Sequence, residues 1–256
     1  MNTYRPCRPS RWRLLTLLIG LAAAGCAASQ QPGLRLTADN RIHVADAAAA
    51  SGDDALAASL YAAAAASAPD DAALQVRAAT ALIKVGHVTQ ARQVLARRLA
   101  AAPGDIDAIR ARAGLDLGEG RTAQAIAALD GVLRRKPDDS AALADKAVAL
   151  DMQGRHTAAQ ALYRRALRES PNDAAIANNL ALSLLLQGNV REAIVVLSPL
   201  EDSPALPPRA RSTLALLYAL DGQADRAGEV LGHALPGPYV AEVAKAVAAG
   251  RALPSS

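Results

Sequence analysis

Phenylalanine is missing from this 256-residue chain, and its one tryptophan, Trp12, lies near the start. Aromatic residues make up 2% of the chain although apolar residues make up 52%. So few rings leave almost nothing on which bases could stack. Cysteine is nearly as scarce: Cys7 and Cys26 are the two, which excludes a disulfide framework and a cysteine-rich zinc site. No apolar run reaches the roughly 20 residues of an ordinary membrane span. A lasting charge excess is also lacking. The formal net charge is +4, but Arg5, Arg8, Arg11 and Arg13 stand before Cys26 with no acidic residue among them, so the chain from Cys26 onward carries 4 − 4 = 0. Without a basic excess or stacking rings, nucleic acid is not an expected partner.

The basic start has its own meaning. Arginines from Arg5 to Arg13, an apolar run from Leu14 to Ala24 and then small residues form the layout of an export leader, 1–25. The run ends Leu21-Ala22-Ala23-Ala24-Gly25-Cys26, which resembles a bacterial lipobox. That resemblance implies a lipid on Cys26 and, with Ala27 following, an outer-membrane destination facing the periplasm. Cleavage after Ala22 to Ala24 is the alternative and gives a soluble periplasmic protein. Lipidation is favoured because Cys26 has no cysteine partner once the leader is removed. Residues 26–37 lack an apolar period and read as a tether.

What the chain has in abundance is alanine, on a register. Gly52, Gly86, Gly120, Gly154, Gly188 and Gly222 recur every thirty-four residues. So do Ala45, Ala79, Ala113, Ala147, Ala181 and Ala215, and likewise Ala57, Ala91, Ala125, Ala159, Ala193 and Ala227. Six units in one phase predict one supersecondary structure stacked on itself: 38–71, 72–105, 106–139, 140–173, 174–207 and 208–235. In the fourth unit, apolar spacing predicts one helix over Ala141 to Met152 and a second over Thr157 to Arg168, broken at Gly154 and stopped at Pro171. The alanine columns place small residues where the two helices cross closest. Four positions after the second column a larger residue fills the gap: Tyr61, Leu95, Leu129, Tyr163, Leu197 and Leu231.

Several residues break the pattern. Arg98 stands where Ala64 and Ala166 stand, and Asp116 where Leu82, Leu150 and Leu184 stand; both are expected to reach solvent. Pro199 falls inside the second helix of the fifth unit, with Pro204, Pro207 and Pro208 after it, so that helix should end early. Tyr239 to Ala249 reads as a capping helix within the tail 236–256.

These columns resemble the thirty-four-residue tetratricopeptide repeat. The resemblance implies an all-α, right-handed superhelical solenoid of about six helix-turn-helix repeats plus a C-terminal capping helix. It also implies a concave groove lined by the first helix of each unit, where protein partners bind. Carried over by position, the groove residues are Val76, Thr80, Ile83 and Lys84; Arg110 and Leu117; Val148, Asp151 and Met152; Asn178, Leu182 and Leu185; Ser212 and Leu216. Lys84 and Arg110 read as isolated cations, so an apolar or helical segment is the expected ligand. No histidine pair has metal-ligand spacing and no phosphate loop or nucleophile elbow occurs, so neither cofactor nor catalysis is expected. The stretches Ala161 to Leu167, Asn178 to Gly188 and Thr213 to Gly222, with the proline-rich break between the last two, resemble the TadD family. These are tetratricopeptide lipoproteins of tight-adherence (Flp) pilus machines. That resemblance implies a pilotin-like adaptor for the pilus secretin; other lipid-anchored adaptors (a type IV pilotin, a β-barrel assembly component) and a periplasmic module regulating cell-wall enzymes are the alternatives.

The leader reading makes a direct prediction: the membrane-extracted protein begins at an acylated Cys26, and Cys26→Ser releases it from the membrane fraction. An unmodified Cys26 by mass spectrometry overturns it.

Overall fold

The computed structural model describes residues 37–204 and 206–231. Cys7, Cys26, the tether up to residue 36, His233, Ala234 and the expected cap from Tyr239 to Ala249 lie outside the described residues. The described residues form twelve α-helices, six antiparallel pairs in order: α1 (Ala38–Ala50) and α2 (Asp54–Ser67), α3 (Ala72–Lys84) and α4 (Val88–Ala101), α5 (Ile106–Gly118) and α6 (Thr122–Arg135), α7 (Ser140–Met152) and α8 (His156–Glu169), α9 (Ala174–Leu186) and α10 (Val190–Leu197), α11 (Pro208–Leu220) and α12 (Ala224–Val230).

The alanine columns sit where the register puts them. All twelve column alanines are no more than 2% exposed, so at each crossing there is no room for another methyl group. The glycine column closes each first helix with φ between +72° and +84°, a region open to glycine at no steric cost. The residue after each glycine returns its N–H to a carbonyl five residues back, as Arg155 N does to Leu150 O at 2.9 Å, which satisfies a carbonyl the helix end leaves free.

A further column emerges at the start of each first helix. Asp71, Asp105, Asp139 and Asp173 are N-caps whose carboxylates accept backbone N–H bonds, for example from Leu74 N at 2.9 Å, and Thr37 does the same in the first unit. Pro207 takes this place before α11 and fixes an extended backbone instead.

Each unit shares its core with the next. The largest cluster of buried apolar residues runs from Leu143 in the fourth unit to Val230 in the sixth, with Tyr163 and Tyr218 at its centre. The fifth unit departs as Pro199 predicts: α10 stops at Leu197, a 3-10 turn covers Ser198–Leu200, and Leu206 plugs the core from the segment that follows. Glu201 in this segment accepts from Tyr218 Oη at 2.7 Å and from Arg226 Nη2 at 2.9 Å, so the break is tied down onto the sixth unit.

Two expectations need correction. Asp116 does not reach solvent. It is buried against Arg121, whose Nη2 lies 2.6 Å away, because a carboxylate in a leucine's place must keep a cation with it. Arg98 does not snorkel outward either; its Nε bonds Asp105 Oδ2 at 2.6 Å and tethers the end of α4 to the cap of α5.

Two outcomes follow. Ala159→Leu forces the crossing of α7 and α8 apart, a strain of about 1 to 3 kcal/mol; urea unfolding should lose cooperativity across the fourth to sixth units, not only in the fourth. For Asp105, burial opposes ionisation, but the N–H of Ala108 and the Arg98 guanidinium outweigh it and hold the carboxyl below the ordinary 3.8. A lowered carboxyl adds stability above its unfolded pKa and loses it as pH falls through the folded value. Asp105→Ala should therefore cost about 1 kcal/mol or more at neutral pH, and the gap to the parent should close as both are titrated below pH 3.8.

Candidate protein-binding groove

From α3 to α11 the first helix of each unit lies against the first helix of the next. Helices packed side by side in one layer form the inner, shorter side of a curved stack, and their free faces line the groove. The groove has two parts of different chemistry.

Across the second, third and fourth units it is polar. A hollow of about 550 Å³ is lined by Val76, Thr80, Asp105, Asp107, Arg110 and Asp145, with alanines of α3 and α5 between them. Arg110 Nε bonds Asp145 Oδ2 at 2.8 Å and its Nη1 stands 3.7 Å from Asp107 Oδ1. Burial raises the Asp145 carboxyl above its ordinary value, against the pull of Arg110. Arg110 is therefore no isolated cation, and neither is Lys84, whose Nζ bonds Asp54 at 2.7 Å. Two carboxylates, Asp107 and Asp145, share this guanidinium, while Asp105 at the edge of the hollow is held by Arg98. Thr80 is exposed with its hydroxyl turned back to Val76 O at 2.9 Å; Val76 and Ile83 are half-buried.

Across the later units the groove is apolar. Met152 is exposed, Val148, Leu182, Leu185 and Leu216 are half-buried, and Ser212 is exposed with its hydroxyl on Pro208 O at 3.0 Å. The residue that offers most surface was not carried over by register: Leu186, 70% exposed, at the end of α9. It lies thirty-four positions after Met152, and that spacing is the signal that finds it.

Three carried-over residues lie elsewhere. Leu117 is buried in the cluster that joins the third and fourth units. Asn178 is 3% exposed, its Oδ1 enclosed without a hydrogen-bond partner, so it presents nothing to a ligand in this arrangement. Asp151 belongs to a polar knot between the fourth and fifth units: Ser183 Oγ donates to its Oδ1 at 2.8 Å and His156 Nδ1 stands 2.9 Å from the same oxygen. Burial, and then the adjacent Asp151 carboxylate, raise the Tyr163 phenol far above its ordinary pKa. His156 is half-buried here while His43 and His87 are exposed, and among the described residues no three His, Cys, Asp or Glu side chains are grouped to hold a metal.

Comparison with known proteins agrees with this architecture. Two family models described as tetratricopeptide repeat match the chain, one over residues 110–174 and the other over 48–115 and 152–217. No curated protein matches it in sequence. Among solved structures it resembles a thermophilic TPR protein of Thermus thermophilus, at 21% identity and TM-score 0.60 over 70% of this chain and 99% of that one. It also resembles PilW, a widely conserved type IV pilus biogenesis factor, at 18% identity and TM-score 0.59 over 77% and 91%. A third likeness is to PilF of Pseudomonas aeruginosa, at 15% and 0.58 over 84% and 97%. Register, helix pairs and family models converge: the chain belongs to the tetratricopeptide repeat family.

Proposed function

We propose that this chain is a non-enzymatic adaptor of the TadD type. It is anchored to the outer membrane through Cys26 and, like a pilotin, helps the secretin of a tight-adherence (Flp) pilus machine to assemble or remain stable. The observation that carries the reading is the apolar second half of the groove. Met152 and Leu186, 52% and 70% exposed, stand in line on the inner layer beside half-buried leucines. Large apolar side chains left in water at regular spacing mark a surface that a partner covers. A helix laid along that face would bury them in the way grooves of this kind hold amphipathic segments. The tetratricopeptide fold supports a scaffold role, and the fold is shared with PilW and PilF.

That shared fold favours one second reading, a biogenesis factor for type IV pili. The two part on which machine fails. Deleting the gene should deplete secretin multimers and Flp pili; normal Flp pili with lost type IV pili decide for the second reading, and normal multimers of both remove the proposal. Leu182→Glu with Leu186→Glu should weaken capture of the secretin at least tenfold, about 1.4 kcal/mol, while the helical spectrum is unchanged because neither side chain is fully buried.

A further inference from the structure

The chain from Cys26 onward has no net charge, yet its charges are sorted. The second helices of the second, third and fourth units, α4, α6 and α8, with Lys136 directly after α6, carry nine cations against two carboxylates, Asp130 and Glu169. Four of the nine are engaged: Arg92 with Glu119, Arg98 with Asp105, Arg164 with Glu192 and Arg165 with Asp138. Asp130 is itself taken by Lys146 of α7. Arg97, Arg134, Arg135, Lys136 and Arg168 remain exposed, without a carboxylate partner among the described residues.

These five form a strip. Arg135 Nη1 reaches back to Gly104 O in the turn of the preceding unit, at 2.9 Å, and Arg165 Nη2 reaches Pro137 O at 2.9 Å in the next turn along. Arg97 borders a hollow with Pro69 and Asp70 of the preceding turn. The ends of the three second helices are thus contiguous from one unit to the next. Of the aspartates at that end of the units, Asp71, Asp105, Asp139 and Asp173 are held against backbone N–H groups as caps and Asp138 is taken by Arg165, which leaves Asp70 exposed beside Arg97.

Stabilisation of helix C-termini does not account for the strip. The dipole of every second helix favours a base in its last turn, but α2, α10 and α12 have none there, while α4, α6 and α8 all do. Bases in the last turn are confined to three consecutive units, which the fold does not require.

We propose that this strip docks the array on an anionic membrane, with phospholipid headgroups as its ligand. The choice of headgroups over another polyanion rests on the export and anchoring reading of the proposed function. Residues 27 to 37 span at most about 40 Å, so a chain held at Cys26 keeps its array within reach of the bilayer. Outward positions of α4 and α6 are Gln90, Gln93, Ala96 and Gln124. With no bulky apolar side chain among them to insert, binding is electrostatic, salt-sensitive and confined to the headgroup layer.

The test uses the chain from Ala27 onward, which keeps the whole compact array and carries no lipid. It should float with phosphatidylcholine vesicles containing about 30% phosphatidylglycerol at low salt, release at about 0.5 M salt, and ignore pure phosphatidylcholine. Each cation removed should weaken binding about fivefold. The variant with Arg97, Arg134, Arg135, Lys136 and Arg168 all replaced by Glu should therefore not float, and the milder Arg134→Gln with Arg168→Gln should lose part of the binding with an unchanged melting curve. Equal binding to neutral vesicles, or flotation that the milder variant does not reduce, overturns the proposal; so does tight binding to duplex DNA by a chain that leaves vesicles alone. Secretin capture through the groove, measured on the same variants, should be unaffected, so failure of the strip and failure of the adaptor reading show up separately.

Discussion

The constraint on which this structure rests is the smallest side chain available: one buried alanine on each helix of every antiparallel pair, sharing one core. Because both alanine columns are buried with almost no remaining surface, a larger side chain in either would push the axes of a pair apart. Everything else in the unit follows from that separation. The larger side chain one turn further on fits only because the crossing leaves a wedge beside it. The glycine turn is short enough to join the helices only because they are close. Alanine burial supplies little area per unit, at about 25 cal/mol per Å², so cohesion comes from the next unit along; the core clusters accordingly run across unit boundaries instead of stopping at them.

Polar groups occupy the seams between units, and each seam has its own set. Asp46, Tyr61 and Arg77 join the first two, with the guanidinium 4.8 Å from the ring centre. Arg92 reaches Glu119 across the next, Arg110 meets Asp145 across the third, Asp151 takes Ser183 across the fourth, and Arg191 meets Asp221 across the last. Partly exposed ion pairs of this kind contribute little to stability, and buried ones must first offset their own desolvation. Their effect on the groove is larger than their effect on folding. They engage cations and carboxylates of the early first helices, which leaves the polar hollow around Arg110 and, further along, a face of leucine and methionine.

The fold was legible in the sequence because its determinants are local and repeated: glycine, alanine and proline act through backbone conformation and volume, both of which a residue carries with it. The groove was less so. Register assigns a position on a helix but not the partner that meets it, and those partners stand about thirty residues away. Lys84 looks free until Asp54, thirty residues earlier, is found beside it, and even Asp116 looks exposed until Arg121, only five residues on, is seen folding over it. Leu117 and Asn178 share their helix positions with groove residues of other units, yet both are shut inside by what packs on them. The run Leu184-Leu185-Leu186 has no polar residue to mark its face, and apart from the spacing to Met152 nothing in it singles out the last leucine as the one in water. The aspartate caps were readable as a thirty-four-residue column, but the adjacent Asp70 and Asp138 blur it by supplying a second aspartate at the same turns.

The seam-specific pairs carry one more consequence, for the number of units. Identical glycine and alanine columns make every unit interchangeable in shape, and on that basis alone the array could grow or shrink by whole units. The pairs select against it. A second copy of the fourth unit placed after the first would set Asp151 against Ala149, which holds the position of Ser183 in the fifth unit, and the carboxylate would lose that donor. Each unit is thus addressed to one neighbour, and the length of the array is written in side chains that do nothing to shape the individual repeat.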